Sequence, residues 1–254
     1  MEFGNSNSAV NYTASGGQTV FSFSFNERAD SSKTLLTSDF SITDSAGTVY
    51  TPTAITWGAS GNSLSVTYGT SALSGVLGLK YSSSNLVDLQ GSQLRYKEIW
   101  MGTSGAETID RSSATTSQAL FGDSGSDKLI GGSADDLIVG GYGNDTMKGG
   151  AGADTFRIVQ GKTSGTGRDE ITDFNMFEGD KLDLRGILTG SGFTASNAGQ
   201  FLDWAITGDD VMLKVDPLGI SNFGSPDYTL KLTGAASNVL TDLNQLLNQR
   251  VILT

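Results

Sequence analysis

The sequence predicts an all-β protein in which a β-sandwich is followed by a parallel β-roll, a β-rich cap and a short C-terminal helix. Three patterns lead to this fold class. Apolar and polar residues alternate in the N-terminal part, a nine-residue unit repeats in the middle, and alternating segments precede one stretch of helical spacing near the end. We divide the chain into a tag or linker at 1–7, a sandwich at 8–98, a roll at 99–160 and a cap at 161–254.

The composition restricts the chemistry that this chain can perform. It has 16 basic and 27 acidic residues and a net charge of −11, which argues against nucleic acid or an anionic membrane as a partner and favours cations. Cysteine and histidine are both absent, so thiol catalysis, Ser-His-Asp triads and histidine-bound zinc or iron are excluded. No apolar stretch is long enough to span a membrane. We therefore expect a monomer with no catalytic activity and no membrane insertion.

The first half of the chain has the pattern of an antiparallel sandwich. Period-two alternation predicts strands with one buried face at Phe21–Phe25, Leu64–Tyr68 and Leu77–Tyr81. Together with Ser38-Asp39-Phe40 and Leu86–Gly91, these segments resemble the Ig-like repeats of large bacterial surface proteins. The resemblance implies an Ig-like spacer module at 8–98. A ligand-binding head for sugars or surfaces is the other interpretation of this half.

A nine-residue unit repeats four times in frame, beginning at Gly122, Gly131, Gly140 and Gly149. Each unit has aspartate in its sixth position and an apolar residue in its eighth. The aspartates are Asp127, Asp136, Asp145 and Asp154, and the apolar residues are Leu129, Ile138, Met147 and Phe156. An earlier copy at Gly102–Asp110 has Glu107 in the sixth position, whereas Arg111–Phe121 between them is degenerate.

These residue types at this spacing indicate a cation site. Glycine permits sharp turns with positive φ and exposes carbonyl oxygens, and aspartate adds one anionic oxygen per unit. The ligand implied is a hard cation. The eighth residue is expected to point inward from a short strand and to stack on its equivalents.

The unit is similar to the nonapeptide repeat of RTX proteins, which binds Ca²⁺. That resemblance implies that two nonapeptides form one coil and that calcium lies between the turns of stacked units. It pairs Asp127 with Asp145 and Asp136 with Asp154. The carbonyl groups implied for the two sites are those of Asp123, Gly125, Gly140 and Tyr142, and those of Gly132, Ala134, Gly149 and Ala151.

Stacked aspartates are unfavourable without an ion. Coils in such a roll lie about 4.8 Å apart, and two carboxylates at about 5 Å repel by roughly 3 kcal/mol at an effective dielectric constant of about 20. Two or more such columns rival the roughly 5–15 kcal/mol that stabilises a domain. We therefore expect the roll to be disordered at low calcium and to fold when calcium binds.

The segment Asp169–Leu184 is similar to the segment that caps the roll in RTX proteins. The resemblance implies that Asp173 is a further calcium ligand facing Asp145, with Asp169, Asp180 and Glu107 as additional candidates, unless these acids only solvate turns. Strands are predicted at Val211–Asp216 and Tyr228–Leu232, and a helix over Leu240–Leu247 with Asn238 as its N-cap.

This C-terminal arrangement resembles the target domain of type I secreted adhesins, in which the export signal stays at the C-terminus. It implies a calcium-binding C-terminal region of a large bacterial adhesin, exported by an ABC transporter without an N-terminal signal peptide. Calcium would fold it outside the cell, where the parent protein supports attachment or biofilm through an unidentified surface ligand. The alternative is the RTX tail of a secreted enzyme, such as an epimerase or lipase, without its catalytic domain. Gly122–Gly125 spells a protease nucleophile motif, but no histidine is available as the base.

Overall fold

The structure is a computed structural model that describes most of the chain from Val10 to Leu253. The described residues are 10–25, 27–69, 73, 75–82, 84–87, 89–90, 92–159, 167–188, 191–219, 228–237, 243–249 and 252–253. The chain divides into two compact units, Met1–Gly102 and Thr103–Thr254. The tag-like residues 1–7 and the predicted N-cap Asn238 lie outside the described residues.

The described part of the first unit contains eight strands, which pair antiparallel in two groups of four. Its strands are β1 (Val10–Ser15), β2 (Gln18–Ser24), β3 (Phe40–Thr43), β4 (Val49–Tyr50), β5 (Ala54–Trp57), β6 (Ser63–Tyr68), β7 (Leu77–Tyr81) and β8 (Glu98–Met101). One sheet has the order β1-β2-β6-β5, and the strands of the other follow the order β8-β7-β3-β4. The unit extends to Gly102 because β8 pairs antiparallel with β7, Leu77 opposite Met101.

The alternation seen in the sequence becomes the buried face of each sheet. Phe23 of β2 and Leu64 of β6 border the same interior space as Phe40 of β3 and Leu79 of β7. All four side chains are buried. The apolar core of this unit therefore lies between its two sheets, as the period-two pattern predicts.

The second unit begins with a roll of very short parallel strands. They are β9 (Thr108–Asp110), β10 (Gln118–Phe121), β11 (Lys128–Ile130), β12 (Leu137–Val139), β13 (Thr146–Lys148) and β14 (Thr155–Arg157). Strand β11 pairs with β13 and β12 with β14, in register at a spacing of 18 residues. Two nonapeptides thus form one coil, and the predicted parallel β-roll is confirmed.

The eighth residues of the nonapeptides form the core of the roll. Leu129, Ile138, Met147 and Phe156 each have 0% of their surface exposed. Because consecutive strands belong to opposite sheets, each of these side chains lies in register with its equivalent one coil away. The core is consequently one side chain wide within each column.

The cap extends both sheets of the roll. Its strands are β15 (Gly167–Ile171), β16 (Lys181–Asp183), β17 (Leu202–Thr207), β18 (Asp210–Val215), β19 (Tyr228–Leu232) and β20 (Ile252–Leu253). Strand β15 pairs with β13 and β19, and β16 pairs with β14 and β20. The helices are α1 (Arg185–Leu188), α2 (Ala198–Phe201) and the predicted C-terminal helix α3 (Leu243–Asn248). No helix among the described residues is long and apolar enough to cross a membrane.

Candidate metal centre

The sixth residues of the repeats form two buried columns of carboxylates. Asp127, Asp136, Asp145 and Asp154 are each at most 2% exposed. The frame places each of them two residues before the inward-pointing residue, at the point where a turn enters a strand. Parallel pairing at 18-residue spacing then stacks Asp127 with Asp145 and Asp136 with Asp154, the two pairings predicted from the sequence.

Within each column, one carboxylate oxygen is used by the protein itself. The N–H of Asp127 donates to Asp145 Oδ1 at 2.9 Å, and the N–H of Asp136 donates to Asp154 Oδ1 at 2.8 Å. Glu107 donates its N–H to Asp127 Oδ1 at 2.8 Å in the same way. Each of these carboxylates, which we call the rungs of the column, therefore accepts a backbone N–H from the preceding coil. These hydrogen bonds align the carboxylates one above another.

The second oxygen of two rungs has no such donor. Asp127 Oδ2 and Asp154 Oδ2 are buried and, in the described part of the chain, accept no hydrogen bond. Asp136 differs, because its Oδ2 accepts the N–H of Gly132 at 2.7 Å. A buried anionic oxygen without a donor costs about 1–3 kcal/mol or more. These atoms are the places where a cation would be most stabilising.

Glycine at the first position of each unit leaves room beside these oxygens. A methyl group on Gly122 would overlap both Asp127 Oδ2 and the carbonyl oxygen of Gly140 in the next coil. A methyl group on Gly131 would overlap Asp136 Oδ2 and the carbonyl oxygen of Gly149 in the same manner. Carboxylate and carbonyl oxygens from successive coils thus border a common space, the all-oxygen donor set that calcium prefers.

The remaining predicted carbonyl ligands link the turns to each other. The Asp123 carbonyl accepts the N–H of Tyr142 at 2.8 Å, and the Tyr142 carbonyl accepts the N–H of Gly125 at 2.8 Å. In the neighbouring column, the Gly132 carbonyl accepts the N–H of Ala151 at 3.1 Å. Each carbonyl retains a second lone pair, so these bonds are compatible with metal coordination.

Two turns bring the backbone of successive coils too close for any side chain. A side chain on Gly143, whose φ is +137°, would collide with the carbonyl of Gly125. Gly152, with φ +115°, packs in the same way against Ala134. The backbone of Gly125 and Ala134 therefore lies directly against the next turn.

Burial raises the pKa of carboxyl groups in the two columns, which together we call the aspartate ladder. The pKa of Asp127 rises to about 7, first through burial and further through the charges of Asp145 and Glu107. Burial and then Asp180 raise the pKa of Asp154 to about 8. Burial also raises the pKa of Asp136 and Asp123. At neutral pH a proton or a cation therefore stabilises the carboxyls of Asp127 and Asp154.

The structure places the cap carboxylates differently from the expectation. Asp173 does not face Asp145: its two oxygens accept the N–H groups of Gly149 and Gly150, each at 2.9 Å, in the column of Asp154. The rung above Asp145 is Asp169, whose Oδ1 accepts the N–H of Asp145 at 2.9 Å. The prediction that Asp173 faces Asp145 is wrong because the segment after the repeats no longer follows the nine-residue spacing.

Asp180 and Glu107 occupy the ends of the two columns. Asp180 Oδ1 accepts the N–H of Asp154 at 2.9 Å, and its Oδ2 accepts the N–H of Asn175 at 2.9 Å. Burial raises the pKa of Asp180 to about 6. Glu107 accepts hydrogen bonds from the backbone N–H and the hydroxyl of Thr103. Among the described residues, no group of three or more acidic side chains is placed to hold a metal ion by itself.

One strand of the roll was not predicted from the sequence. The segment treated as degenerate contains β10, with Leu120 opposite Ile138 in a parallel pair. Gln118 takes the place of the sixth-position aspartate and donates its N–H to Asp136 Oδ1 at 2.7 Å. A signal was available, because Gln118 and Leu120 lie 18 residues before Asp136 and Ile138.

Known proteins share this repeat. Residues 121–156 match the family model of the RTX calcium-binding nonapeptide repeat, in four copies. No curated protein matches the chain.

Three solved structures are similar to parts of this fold. The chain is 28% identical to the R3 subunit of a mannuronan C5-epimerase from Azotobacter vinelandii, with a TM-score of 0.38, covering 56% of this chain and 83% of the subunit. It is 26% identical to the R2 subunit, with a TM-score of 0.40, covering 55% and 87%. It is 18% identical to the extracellular lipase LipA of Serratia marcescens, with a TM-score of 0.40, covering 100% of this chain and 32% of the lipase. The four nonapeptides on which the metal columns are built thus match repeats that bind calcium.

Proposed function

We propose that this chain is the non-catalytic, calcium-binding C-terminal region of a large secreted adhesin, and that calcium folds it after export. The observation that carries the proposal is the aspartate ladder. Asp127 Oδ2 and Asp154 Oδ2 are buried with no hydrogen-bond donor among the described residues, and glycine leaves space beside both. Bound calcium compensates the negative charge of these buried oxygens.

The protein's own residues perform three tasks in this function. Asp127, Asp136, Asp145 and Asp154 provide anionic oxygens, and the carbonyls of Gly140 and Gly149 provide neutral oxygens from the following coil. The N–H groups of the preceding coil hold Oδ1 of Asp127 and of Asp154, which leaves Oδ2 of both for the ion. Where the roll meets its cap, Asp173 and Asp180 hold backbone N–H groups of the last nonapeptide with their own oxygens.

The environment outside a bacterial cell fits such a device. Calcium modules that work outside cells bind with dissociation constants of about 10⁻⁴–10⁻³ M, far above calcium levels inside cells. A chain that folds only at such levels remains unfolded during passage through a type I transporter and folds after release. The antiparallel two-sheet unit ahead of the roll supports the interpretation as an adhesin. In this proposal the unit acts as an Ig-like spacer, and the partner of the parent protein is an unidentified surface ligand.

A calcium titration of the full chain tests the proposal. Calorimetry gives the number of ions and their affinity, and far-UV circular dichroism on the same samples gives the gain in strand content. We expect both signals to change together with a midpoint of about 10⁻⁴–10⁻³ M. A magnesium titration is the matched control, because Mg²⁺ demands near-ideal octahedral geometry and dehydrates reluctantly. An absence of calcium binding, or a midpoint below about 10⁻⁶ M, would contradict the proposal.

A further inference from the structure

The column that contains Asp127 and Asp145 ends on a side chain of the cap. Asp169 is the next rung, and its Oδ2 accepts a hydrogen bond from the hydroxyl of Tyr228, the first residue of β19. Both side chains are buried, with 4% of Asp169 and 3% of Tyr228 exposed. A protein hydroxyl thus occupies the oxygen of Asp169 that corresponds to the donor-free oxygen of Asp127.

Asp169 also lies outside the repeat. It follows Asp145 by 24 residues, whereas Asp145 follows Asp127 by 18. Strand β15 nevertheless continues the sheet, with Met147 opposite Ile171, and β19 pairs with β15 along its full length. The backbone at Asp169 therefore keeps the strand pairing of a coil, whereas the Asp169 carboxylate has a hydroxyl partner from the cap.

The contacts form one line from the cap to the metal columns. The Tyr228 hydroxyl holds Asp169 Oδ2, and Asp169 Oδ1 holds the N–H of Asp145 at 2.9 Å. Asp145 Oδ1 in turn holds the N–H of Asp127 at 2.9 Å. Any displacement of Asp169 is passed to the backbone of Asp145, the last nonapeptide carboxylate in this column.

We propose that Tyr228 and Asp169 close this column without a metal ion, and that Tyr228 is a positioning residue for calcium binding at Asp145. The hydroxyl takes the place on Asp169 that an ion takes on the rungs below. This inference rests on the proposed calcium binding by the ladder, and it removes Asp169 from the candidate ligands.

The first experiment counts ions by calorimetry on the full chain with Asp169→Asn and Asp145→Asn. Asparagine retains an oxygen for the N–H of the rung below, so the backbone contact survives. We expect Asp169→Asn to bind the same number of ions as the parent chain, whereas Asp145→Asn binds one fewer. Loss of an ion from Asp169→Asn would overturn the metal-free closure. An unchanged count in Asp145→Asn would instead overturn the proposed function of the ladder.

The second experiment measures the calcium midpoint of Tyr228→Phe. Loss of a hydrogen bond to a buried carboxylate should raise the midpoint about tenfold without changing the number of ions. Tyr68→Phe is the matched control, since Tyr68 is equally buried but its hydroxyl has no hydrogen-bond partner among the described residues. An unchanged midpoint in Tyr228→Phe would overturn the positioning role.

Double variants separate positioning from a general loss of stability. The effects of Tyr228→Phe and Asp169→Asn on the calcium midpoint should be non-additive, because both changes alter the same hydrogen bond between Tyr228 and Asp169. Tyr228→Phe should be additive with Asp154→Asn, which belongs to the other column. Equal coupling to both columns would show a general structural effect and overturn the assignment. Should Tyr228→Phe fail to fold, the ion count of Asp169→Asn still decides whether this rung carries a metal.

Discussion

Burial affects carboxylates of this protein in two opposite ways. Asp183 is completely buried, yet Arg185 and Arg157, with Nε atoms 2.8 and 2.9 Å from its oxygens, lower its pKa against the effect of burial. In Asp127 and Asp154, burial prevails and the pKa rises to about 7 and about 8. Asp183 is thus neutralised by the protein, whereas the ladder depends on a cation from solution.

The raised pKa values determine how the calcium-free protein responds to pH. Asp127, Asp154 and Asp180 have folded pKa values of about 7, 8 and 6, above the unfolded value of 3.8, so the folded state binds more protons. Their contribution to stability is present in acid and is lost as the pH rises through about 6–8. In calcium-free buffer we expect the roll to show more strand signal at pH 5 than at pH 8.5, measured by circular dichroism.

Saturating calcium is the control for this pH effect. Protons compete with the ion for the same oxygens, so the holo protein should bind calcium more weakly at pH 5 than at pH 8.5. A calcium-free strand signal that increases between pH 5 and pH 8.5 would contradict the assignment of raised pKa values to the ladder.

Asp154→Asn should change stability in opposite directions with and without calcium. At pH 9 without calcium, removing a buried charge with no donor should stabilise the roll by about 1–2 kcal/mol. With calcium, the variant should bind one ion fewer and be less stable than the parent chain. Asp209→Asn is the matched control, because Asp209 is exposed, and it should alter neither quantity by more than about 0.5 kcal/mol. Chemical denaturation in calcium and the strand signal by circular dichroism in chelator measure these differences, and stabilisation in calcium would refute the role of Asp154.

At the level of the elements, the turn glycines matter as much as the aspartates. A methyl group on Gly140 would lie 2.9 Å from both Cβ and Cγ of Asp145, although the φ of Gly140 is not in the left-handed region. Gly140→Ala should therefore displace the carboxylate without straining the backbone, and it should raise the calcium midpoint about tenfold or more. The measurement is a calcium titration followed by circular dichroism.

The matched control for Gly140→Ala is Gly199→Ala. Gly199 lies in α2, and a methyl group there would meet no atom within 4 Å. Alanine at this helical position should leave the calcium midpoint unchanged. Equal midpoints in Gly140→Ala and the parent chain would show that the space beside Asp145 is not part of a metal site.

The sequence predicts the roll well where the nine-residue frame is intact. Leu129 and Met147 share one period, so their stacking follows from counting alone. The position of Gln118 was not predicted because the motif was defined by its aspartate, although Gln118 keeps the 18-residue spacing to Asp136. Asp173 was misplaced because 24 and 26 residues, rather than 18, separate the last rungs, and counting cannot locate a side chain beyond such insertions.

At the scale of the whole molecule, the two units depend on different sources of stability. The first unit buries large side chains from two sheets, among them Phe21, Phe40 and Tyr68, and this apolar burial stabilises its core. The second unit begins with strands of three or four residues whose inward side chains stack singly. The stability of such short strands depends on calcium bound in the turns between them.

Removal of calcium should therefore unfold one unit and leave the other intact. We expect chelator to abolish the strand signal of Thr103–Thr254, while Met1–Gly102 keeps a cooperative thermal transition of its own. Limited proteolysis with mass spectrometry measures this directly, because cleavage should begin in the nonapeptides, and a fragment close to the first unit should persist. Restoring calcium before adding protease is the control and should protect both units. Simultaneous digestion of both units in chelator would contradict the prediction, because it would mean that the first unit also requires the ion.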